Sequence, residues 1–211
     1  MSFQENLGFP NSLRLVAEGL SCQRSERMLF ANLSFSIESG HALTIVGPNG
    51  AGKSSLLRIL GGFLSAQAGQ LRLEGMAEDT ERQQICHYLG HRDGLRAALT
   101  ARENLDFARD ILGAGLETPD ALARVGLLQI MDAPVGLLSA GQRRRVALAR
   151  LLVAKRPLWL LDEPTSALDQ ASQERVTEIL SDHLGNGGLA VIASHLSLGI
   201  ASETLTLGLP V

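Results

Sequence analysis

The chain has 211 residues, a length that fits one domain with room for a substantial hydrophobic core. Its composition is that of an ordinary globular protein, with 45% hydrophobic and 19% charged residues and a formal net charge of −3. A nucleic-acid-binding protein would usually be basic, so this charge argues against a nucleic-acid partner.

The first part of the chain alternates short apolar runs with turns. Residues 1–10 are polar and hold no apolar signal-peptide core. A glycine-rich turn after residue 46 is followed by a predicted helix at residues 54–60. Cys22 and Cys86 have no paired spacing, so we expect inert apolar residues in a reducing compartment. Strands are predicted at residues 13–16, 33–37, 42–46, 71–73 and 85–89.

Helical spacing dominates from about residue 93 to residue 154. Within this stretch, Thr100 with Glu103 three positions on has the pattern of a helix capping box. Further strands are predicted at residues 158–161, 189–193 and 205–207, and a further helix at residues 170–184. Strands that alternate with helices favour a mainly parallel α/β sheet, with residues 93–154 as a helical insertion. No apolar run approaches the length of about 20 residues that a membrane span needs.

A phosphate-binding loop is predicted between the strand at 42–46 and the helix that follows it. The sequence matches G-x-x-x-x-G-K-[ST] at every position, in the required strand-to-helix context. The glycines let backbone N–H groups close around phosphate oxygens, and the helix N-terminus adds a positive partial charge. Lys53 is expected to reach the β- and γ-phosphates, and the Ser54 hydroxyl to hold Mg²⁺. The predicted nucleotide-binding residues of this loop are Gly47, Pro48, Asn49, Gly50, Ala51, Gly52, Lys53, Ser54 and Ser55.

Two acidic residues end the apolar run at 158–161. A strand here would place Asp162 at the carboxyl end of the sheet, beside the phosphate loop, where it would hold Mg²⁺ directly or through water. Because side chains alternate along an extended chain, Glu163 is expected to point elsewhere and to polarise the attacking water as general base. The alternative, a solvated acidic strand end, is disfavoured by the complete phosphate loop.

A second motif opens a predicted helix. It consists of Leu138, Ser139, Ala140, Gly141 and Gln142, and it resembles the signature motif of ABC ATPases, L-S-G-G-Q, with Ala140 at a usual glycine. The resemblance covers residues 13–207. It implies an α/β P-loop NTPase: a RecA-like, mainly parallel sheet with an antiparallel β part, plus an inserted ABC helical subdomain. The expected layout is one ABC ATPase domain over residues 1–211, with a core at about 1–92 and 155–211 and the helical subdomain at about 93–154.

The family resemblance also assigns roles across a head-to-tail homodimer. The Ser139 hydroxyl and the Gly141 amide would face the γ-phosphate bound to the other copy, and Gln142 belongs to the same nucleotide-binding set. Asp169 lies in a segment, residues 166–169, that resembles the D-loop joining the two sites. His195 resembles the switch histidine that contacts the γ-phosphate and orients the water. The expected catalytic set is thus Lys53, Glu163 and His195, acting with ATP and Mg²⁺.

Three consecutive arginines follow the signature motif and invite a nucleic-acid-binding interpretation. Consecutive residues of a helix lie about 100° apart around its axis. Arg143, Arg144 and Arg145 therefore fan outwards and cannot form one patch. We expect solvated or interface roles for them.

The sequence departs from the family pattern at two positions. His91 stands where most ABC ATPases carry a glutamine that touches Mg²⁺ and the water, and we place it in the nucleotide-binding set. The aromatic residue that usually stacks on adenine is missing around Cys22 and Arg24. The Arg24 guanidinium offers a substitute stacking surface.

Within the family, the chain is most similar to the ATP-binding export subunits of cytochrome c maturation, the Ccm-type heme exporters. The similarity implies a peripheral protein on the cytoplasmic face of a bacterial or mitochondrial inner membrane. Its partners would be integral membrane subunits, and heme would be involved only indirectly. The residues that carry this similarity are 22–27, 29–30, 89–91, 94, 99–105, 138–150 and 157–164.

Other functions remain as alternatives. They include another exporter with a different cargo, a non-transport ABC protein of DNA repair or translation, a small kinase or GTPase, and a pseudo-ATPase that only clamps partners. No coiled coil or tandem ATPase domain supports the non-transport protein, and the signature motif has no place in a kinase or GTPase. The intact set of Lys53, Asp162, Glu163 and His195 argues against a pseudo-ATPase.

Overall fold

A computed structural model describes residue 9 and residues 12–77, 80–113, 115–196 and 198–208. The predicted absence of a signal-peptide core in residues 1–10 falls, apart from Phe9, outside the described residues. Within these ranges, every helix is too short or too polar to span a lipid bilayer.

The described residues begin with three consecutive strands, and a run of consecutive helices lies in the middle of the chain. The strands are β1 (Arg14–Arg24), β2 (Arg27–Glu38), β3 (Ala42–Val46), β4 (Ala68–Glu74), β5 (Cys86–Leu89), β6 (Leu158–Asp162), β7 (Leu189–Ala193) and β8 (Glu203–Thr206). The helices are α1 (Lys53–Leu60), α2 (Arg82–Ile85), α3 (Ala101–Leu112), α4 (Thr118–Arg124), α5 (Ala140–Val153) and α6 (Gln170–Gly185). The predicted strands at 42–46 and 189–193 are confirmed with their bounds, whereas the last strand begins two residues before its predicted start at 205.

The strands form two sheets. A three-stranded sheet of order β2-β1-β4 is antiparallel, and a five-stranded sheet has the order β5-β6-β7-β3-β8. In the larger sheet the pairs β6–β7, β7–β3 and β3–β8 are parallel. Every residue of β6 and β7 is buried, which explains why these strands read as continuous apolar runs. The predicted mainly parallel sheet with an antiparallel part is confirmed.

The chain divides into two compact units. The first comprises Met1–Tyr88, Pro157–Asp162 and Leu180–Val211, and its core packs β1, β3, β6 and β7 with helix α1. The second comprises Leu89–Arg156 and Glu163–Ile179, and in it α3 and α4 pack against α5. Residues 93–154 lie wholly in the second unit, and the exact bounds of the helical subdomain stay a prediction.

Helix α3 begins with the capping box that the sequence predicts. Thr100 Oγ1 accepts the backbone N–H of Glu103 at 3.1 Å, and the Glu103 carboxylate accepts the Thr100 N–H at 2.8 Å. These reciprocal bonds satisfy two backbone donors that a helix start would otherwise leave without partners. Cys22 and Cys86 are both buried, as expected for apolar residues of the core.

A buried histidine lies inside the first unit. The His183 ring stacks on Trp159, with 3.9 Å between ring centroids and 9° between planes, and its Nε2 lies 3.2 Å from the Leu189 carbonyl. Since a carbonyl only accepts, Nε2 is the donor there. Burial lowers the pKa of His183 to about 4, despite this hydrogen bond.

We expect this histidine to make the fold sensitive to acid. In the unfolded chain, His183 has an ordinary pKa near 6.5, so the unfolded chain binds the proton at a higher pH than the folded chain. Stability is therefore lost as the pH falls from about 6.5 to about 4. The loss amounts to about 3 kcal/mol of the free energy of unfolding. Urea unfolding across this pH range should show a flatter profile for His183→Gln, which keeps an N–H donor but has no titrating ring. The exposed His41→Gln is the matched control, and a wild-type slope in His183→Gln would contradict the assignment.

Candidate functional site

The phosphate loop connects the end of β3 to the start of α1. Pro48, Asn49 and Gly50 are exposed, whereas the Lys53 side chain, at the first position of α1, is buried. The Lys53 ammonium donates to the carbonyls of Gly47 at 2.6 Å and Pro48 at 3.3 Å. The loop therefore places a positive charge at its centre, within reach of any anion that the exposed backbone binds.

The start of this loop requires a residue without a side chain. Gly47 has a φ of 148°, and a Cβ added there would lie 2.4 Å from the backbone carbonyl oxygen of Leu207. Such a distance is far below van der Waals contact, and the obstacle is backbone rather than a mobile side chain. Glycine at this position thus lets the loop turn closely against the segment that follows β8.

The parallel strands place three predicted site residues, Lys53, Asp162 and His195, near one edge of the sheet. Ala193 of β7 pairs with both Ile45 of β3 and Asp162 of β6, so the three strands end at the same level. His195 follows β7 by two residues, and its Nε2 lies 3.2 Å from Lys53 Nζ. The structure therefore brings together Lys53, His195 and the phosphate loop, with Asp162 at the adjacent strand end, while the roles of these residues stay predictions.

The polar groups at this edge suit a magnesium ion. Asp162 is buried at the end of β6, with 6% of its surface exposed, and Ser54 lies at the second position of α1. Carboxylate and hydroxyl oxygens are the hard donors that Mg²⁺ prefers, and this ion commonly takes its remaining ligands from water and substrate phosphates. The part of the chain that the structure describes holds no group of three or more His, Cys, Asp or Glu side chains placed to bind a metal ion.

The backbone of Glu163 does not continue the extended conformation of the strand before it. The strand ends at Asp162, and Glu163 has a left-handed backbone with a φ of 48°. The prediction that strand alternation sets the direction of the Glu163 side chain is therefore wrong, because this residue is not part of the strand. Non-glycine residues in this conformation are strained and concentrate at functional sites.

The signature motif forms the start of α5 in the second unit. Ser139 Oγ accepts the N–H of Gln142 at 3.2 Å, and Gln142 Oε1 accepts the Ser139 N–H at 2.8 Å. Both side chains thus cap their own helix, while the exposed Ser139 hydroxyl still has its proton to donate. A Cβ on Gly141 would lie 2.9 Å from the Ala167 carbonyl oxygen, so glycine is also needed here.

Asp169 caps the helix that follows it. Its Oδ1 accepts the N–H of Ser172 at 2.9 Å, at the start of α6. Hydrogen bonds from Ser172, with the nearby Arg145 and Arg175, hold the pKa of Asp169 below its usual range. The carboxylate is therefore engaged within its own chain, and its predicted role in joining two sites stays a prediction.

The three arginines after the signature motif have separate environments. Arg143 donates to the Leu138 carbonyl and Arg145 to the Val125 carbonyl, as expected for side chains that diverge around a helix. The expectation of solvated or interface roles is wrong for Arg144, which is only 3% exposed. Its guanidinium is surrounded by hydrogen-bond acceptors of the second unit, which the helical period alone does not reveal.

The remaining predicted residues lie on exposed segments. His91 is exposed in the stretch between β5 and α3, and Arg24 is exposed at the end of β1, where it lines a cavity of about 360 Å³. The structure adds Arg27, whose Nη1 would lie 3.8 Å from a Cβ on Gly50 of the phosphate loop. Its position at the start of β2, a strand far from the loop in sequence, gave no signal of this proximity.

Comparison with known proteins decides the family. A family model described as "ABC transporter" matches residues 30–166. The chain belongs to the ABC transporter family. This ABC ATPase is 51% identical over 197 residues to the cytochrome c biogenesis ATP-binding export protein CcmA of Nitrobacter winogradskyi, a match that covers 93% of this chain and 98% of that protein.

Two further similarities agree with this result. The ABC ATPase is 47% identical over 197 residues to the CcmA protein of Bradyrhizobium diazoefficiens, covering 93% of this chain and 98% of the relative. An ABC transporter ATP-binding protein from Pyrococcus furiosus superposes with a TM-score of 0.79 at 24% identity, covering 92% of this chain and 97% of the other. The structural match shows the fold, and the resemblance to cytochrome c maturation ATPases is confirmed.

Removing the loop ammonium should weaken nucleotide binding. Lys53→Ala deletes a charge-assisted donor to phosphate, so we expect ATP affinity to fall by at least about 10-fold. Titration calorimetry with ATP measures this directly. Arg58→Ala, on the exposed side of the same helix, should bind ATP normally. Unchanged ATP affinity in a folded Lys53→Ala variant would refute the assignment of the loop.

Proposed function

We propose that this chain is the ATP-hydrolysing subunit of an export complex that serves cytochrome c biogenesis. The observation that carries the proposal is the convergence of Lys53, His195 and the phosphate-loop carbonyls within 3.3 Å, beside the strand end that holds Asp162. The names of relatives that match nearly the whole chain support the export role. An exporter ATPase with a different cargo is the alternative.

In the proposed reaction, each side chain has a separate task. The phosphate loop and Lys53 hold the β- and γ-phosphates, and Ser54 and Asp162 would hold Mg²⁺, which offsets phosphate charge when bound. Glu163 takes the proton of the attacking water as general base, a contribution of roughly 10²- to 10⁴-fold in rate. His195 donates a hydrogen bond to the γ-phosphate and keeps the water oriented.

We further propose that the site is completed by a second copy of the chain. The start of α5 presents the exposed Ser139 hydroxyl and the backbone amides of a helix N-terminus, an arrangement suited to an anion. In a head-to-tail homodimer, this surface would close over the γ-phosphate on the partner's phosphate loop. Gln142 supports it by capping, and Asp169 stabilises the adjoining helix start. His91 would face Mg²⁺ and the water in place of the usual glutamine.

The proposed location is the cytoplasmic face of the inner membrane, in contact with integral membrane subunits. The names of relatives that match nearly the whole chain, ATP-binding export proteins, support this location. No nucleic-acid partner is proposed, and heme enters only through the pathway that the complex serves. A pull-down from native membranes identifies the membrane subunits and, through them, the cargo.

Replacing the general base should trap the dimer. In Glu163→Gln the amide cannot take the proton, so ATP turnover should fall by about 10²-fold or more while ATP binding is kept. Light scattering should then show an ATP-dependent dimer that persists. Glu174→Gln, an acidic residue on α6 outside the site, serves as control. Wild-type turnover in Glu163→Gln would remove Glu163 as the base.

A mixing experiment tests whether two chains share each site. Ser139→Ala and Lys53→Ala chains should each be inactive alone, because each homodimer has two damaged sites. Mixed in equal amounts, half of the dimers hold one intact composite site, so turnover should recover to about a quarter of the wild-type value. Recovery requires that one site suffices. If nucleotide-loaded wild-type protein stays monomeric and yet hydrolyses ATP at full rate, the shared site is excluded.

A further inference from the structure

A buried guanidinium connects two segments of the second unit. Arg144 lies in α5, five residues after Ser139, and only 3% of its surface is exposed. It donates to the carbonyl of Glu163 at 2.7 Å and to that of Pro164 at 3.2 Å. On the other side it donates to the Gly90 carbonyl at 2.8 Å and to Asp93 Oδ1 at 3.1 Å.

The chemistry of this contact depends on the planar shape of arginine. A buried charge is costly unless it is paired and hydrogen-bonded, and here one carboxylate and three carbonyls satisfy the guanidinium. A guanidinium spreads five N–H donors over a rigid fork, whereas a lysine ammonium directs three donors from a single point. Lysine therefore cannot reach both segments with the same geometry.

The first of these segments carries the proposed general base. Glu163 has a left-handed backbone, a conformation that persists in a non-glycine residue only when its surroundings hold it. Arg144 holds the carbonyls of this residue and of the next, Pro164. Since the backbone fixes the origin of the side chain, these bonds help to set the direction of the Glu163 carboxylate.

The second segment carries His91. Arg144 binds the residue before it, Gly90, and the acid two positions after it, Asp93. A second arginine of α5, Arg150, donates to the Gly94 carbonyl at 3.0 Å. Two side chains of one helix thus hold both ends of the exposed turn that contains His91.

We propose that Arg144 is a positioning residue for ATP hydrolysis, which fixes the backbone of Glu163 and ties it to the segment around His91. The inference rests on the proposed function, in which Glu163 is the general base. Arg144 touches neither nucleotide nor water in this role. It acts through Glu163, so that a displacement of the His91 segment is passed to the base through a single rigid group.

The test is Arg144→Lys in the full chain, assayed with the membrane subunits that copurify with it. We expect kcat for ATP hydrolysis to fall at least 10-fold, with KM for ATP within about 2-fold of wild type, because the nucleotide-holding residues are untouched. Arg102→Lys is the matched control: the side chain of this half-buried arginine of the same unit pairs with Asp132 rather than with Glu163 or the His91 segment, so its variant should keep the wild-type kcat.

A double-mutant cycle separates positioning from a purely structural role. If Arg144 acts through Glu163, adding Arg144→Lys to Glu163→Gln should lower the residual rate by less than about 2-fold. A structural role would instead lower it by the same factor as in the wild-type background, and that result overturns the proposal. A wild-type kcat in Arg144→Lys, with Glu163→Gln inactive, overturns it as well and leaves the proposed function intact. A wild-type kcat in Glu163→Gln overturns both.

Asp93→Asn keeps the inference testable if Arg144→Lys does not fold. It removes the negative charge opposite Arg144 and retains an oxygen acceptor of the same shape, together with all three carbonyl bonds. We expect kcat to fall about 3-fold with KM for ATP unchanged, because the weaker contact loosens the tie to the His91 segment. An unchanged kcat in this variant shows that the tie has no effect on hydrolysis and overturns the proposal.

Discussion

The close turn of the backbone at the end of β3 is the constraint on which the first unit's site depends. Gly47 passes so near the Leu207 carbonyl that any side chain would collide with it. This turn directs the exposed loop back over the start of α1, where the Lys53 ammonium binds the loop's own carbonyls. The shape of the anion-binding loop thus depends on the lack of a side chain at Gly47, and Lys53 adds the positive charge.

Parallel strand pairing supplies the rest of that site. Because β3, β6 and β7 run in one direction and end level with each other, residues distant in sequence meet at one edge. Asp162 is the last residue of β6 and His195 follows β7 by two residues, so the buried strands themselves bring both residues to this edge. The buried apolar strands therefore fix the position of the polar groups. A change in the packing of these strands would displace the polar groups of the site.

In the second unit, the polar side chains of the proposed site make hydrogen bonds within their own chain. Ser139 caps the helix of the signature motif, and Asp169 caps the next one. Arg144 joins the segments around Glu163 and His91 by hydrogen bonds to four acceptors. The groups proposed to meet a nucleotide are in this way held by bonds within their own chain, which lowers the entropy cost of binding.

The sequence by itself determined the mainly parallel fold, the phosphate loop and the capping box at Thr100. Each of these depends on the spacing of residues that are close together in the sequence. Strand β7 was predicted with its bounds, since a strand buried on both faces reads as an unbroken apolar run. Only the tertiary structure decided the burial of Arg144 and the left-handed backbone of Glu163. Helical periodicity gives the direction of a side chain around the axis, but not what covers it. Strand alternation likewise cannot show where a strand stops, because that depends on contacts made by residues far along the chain.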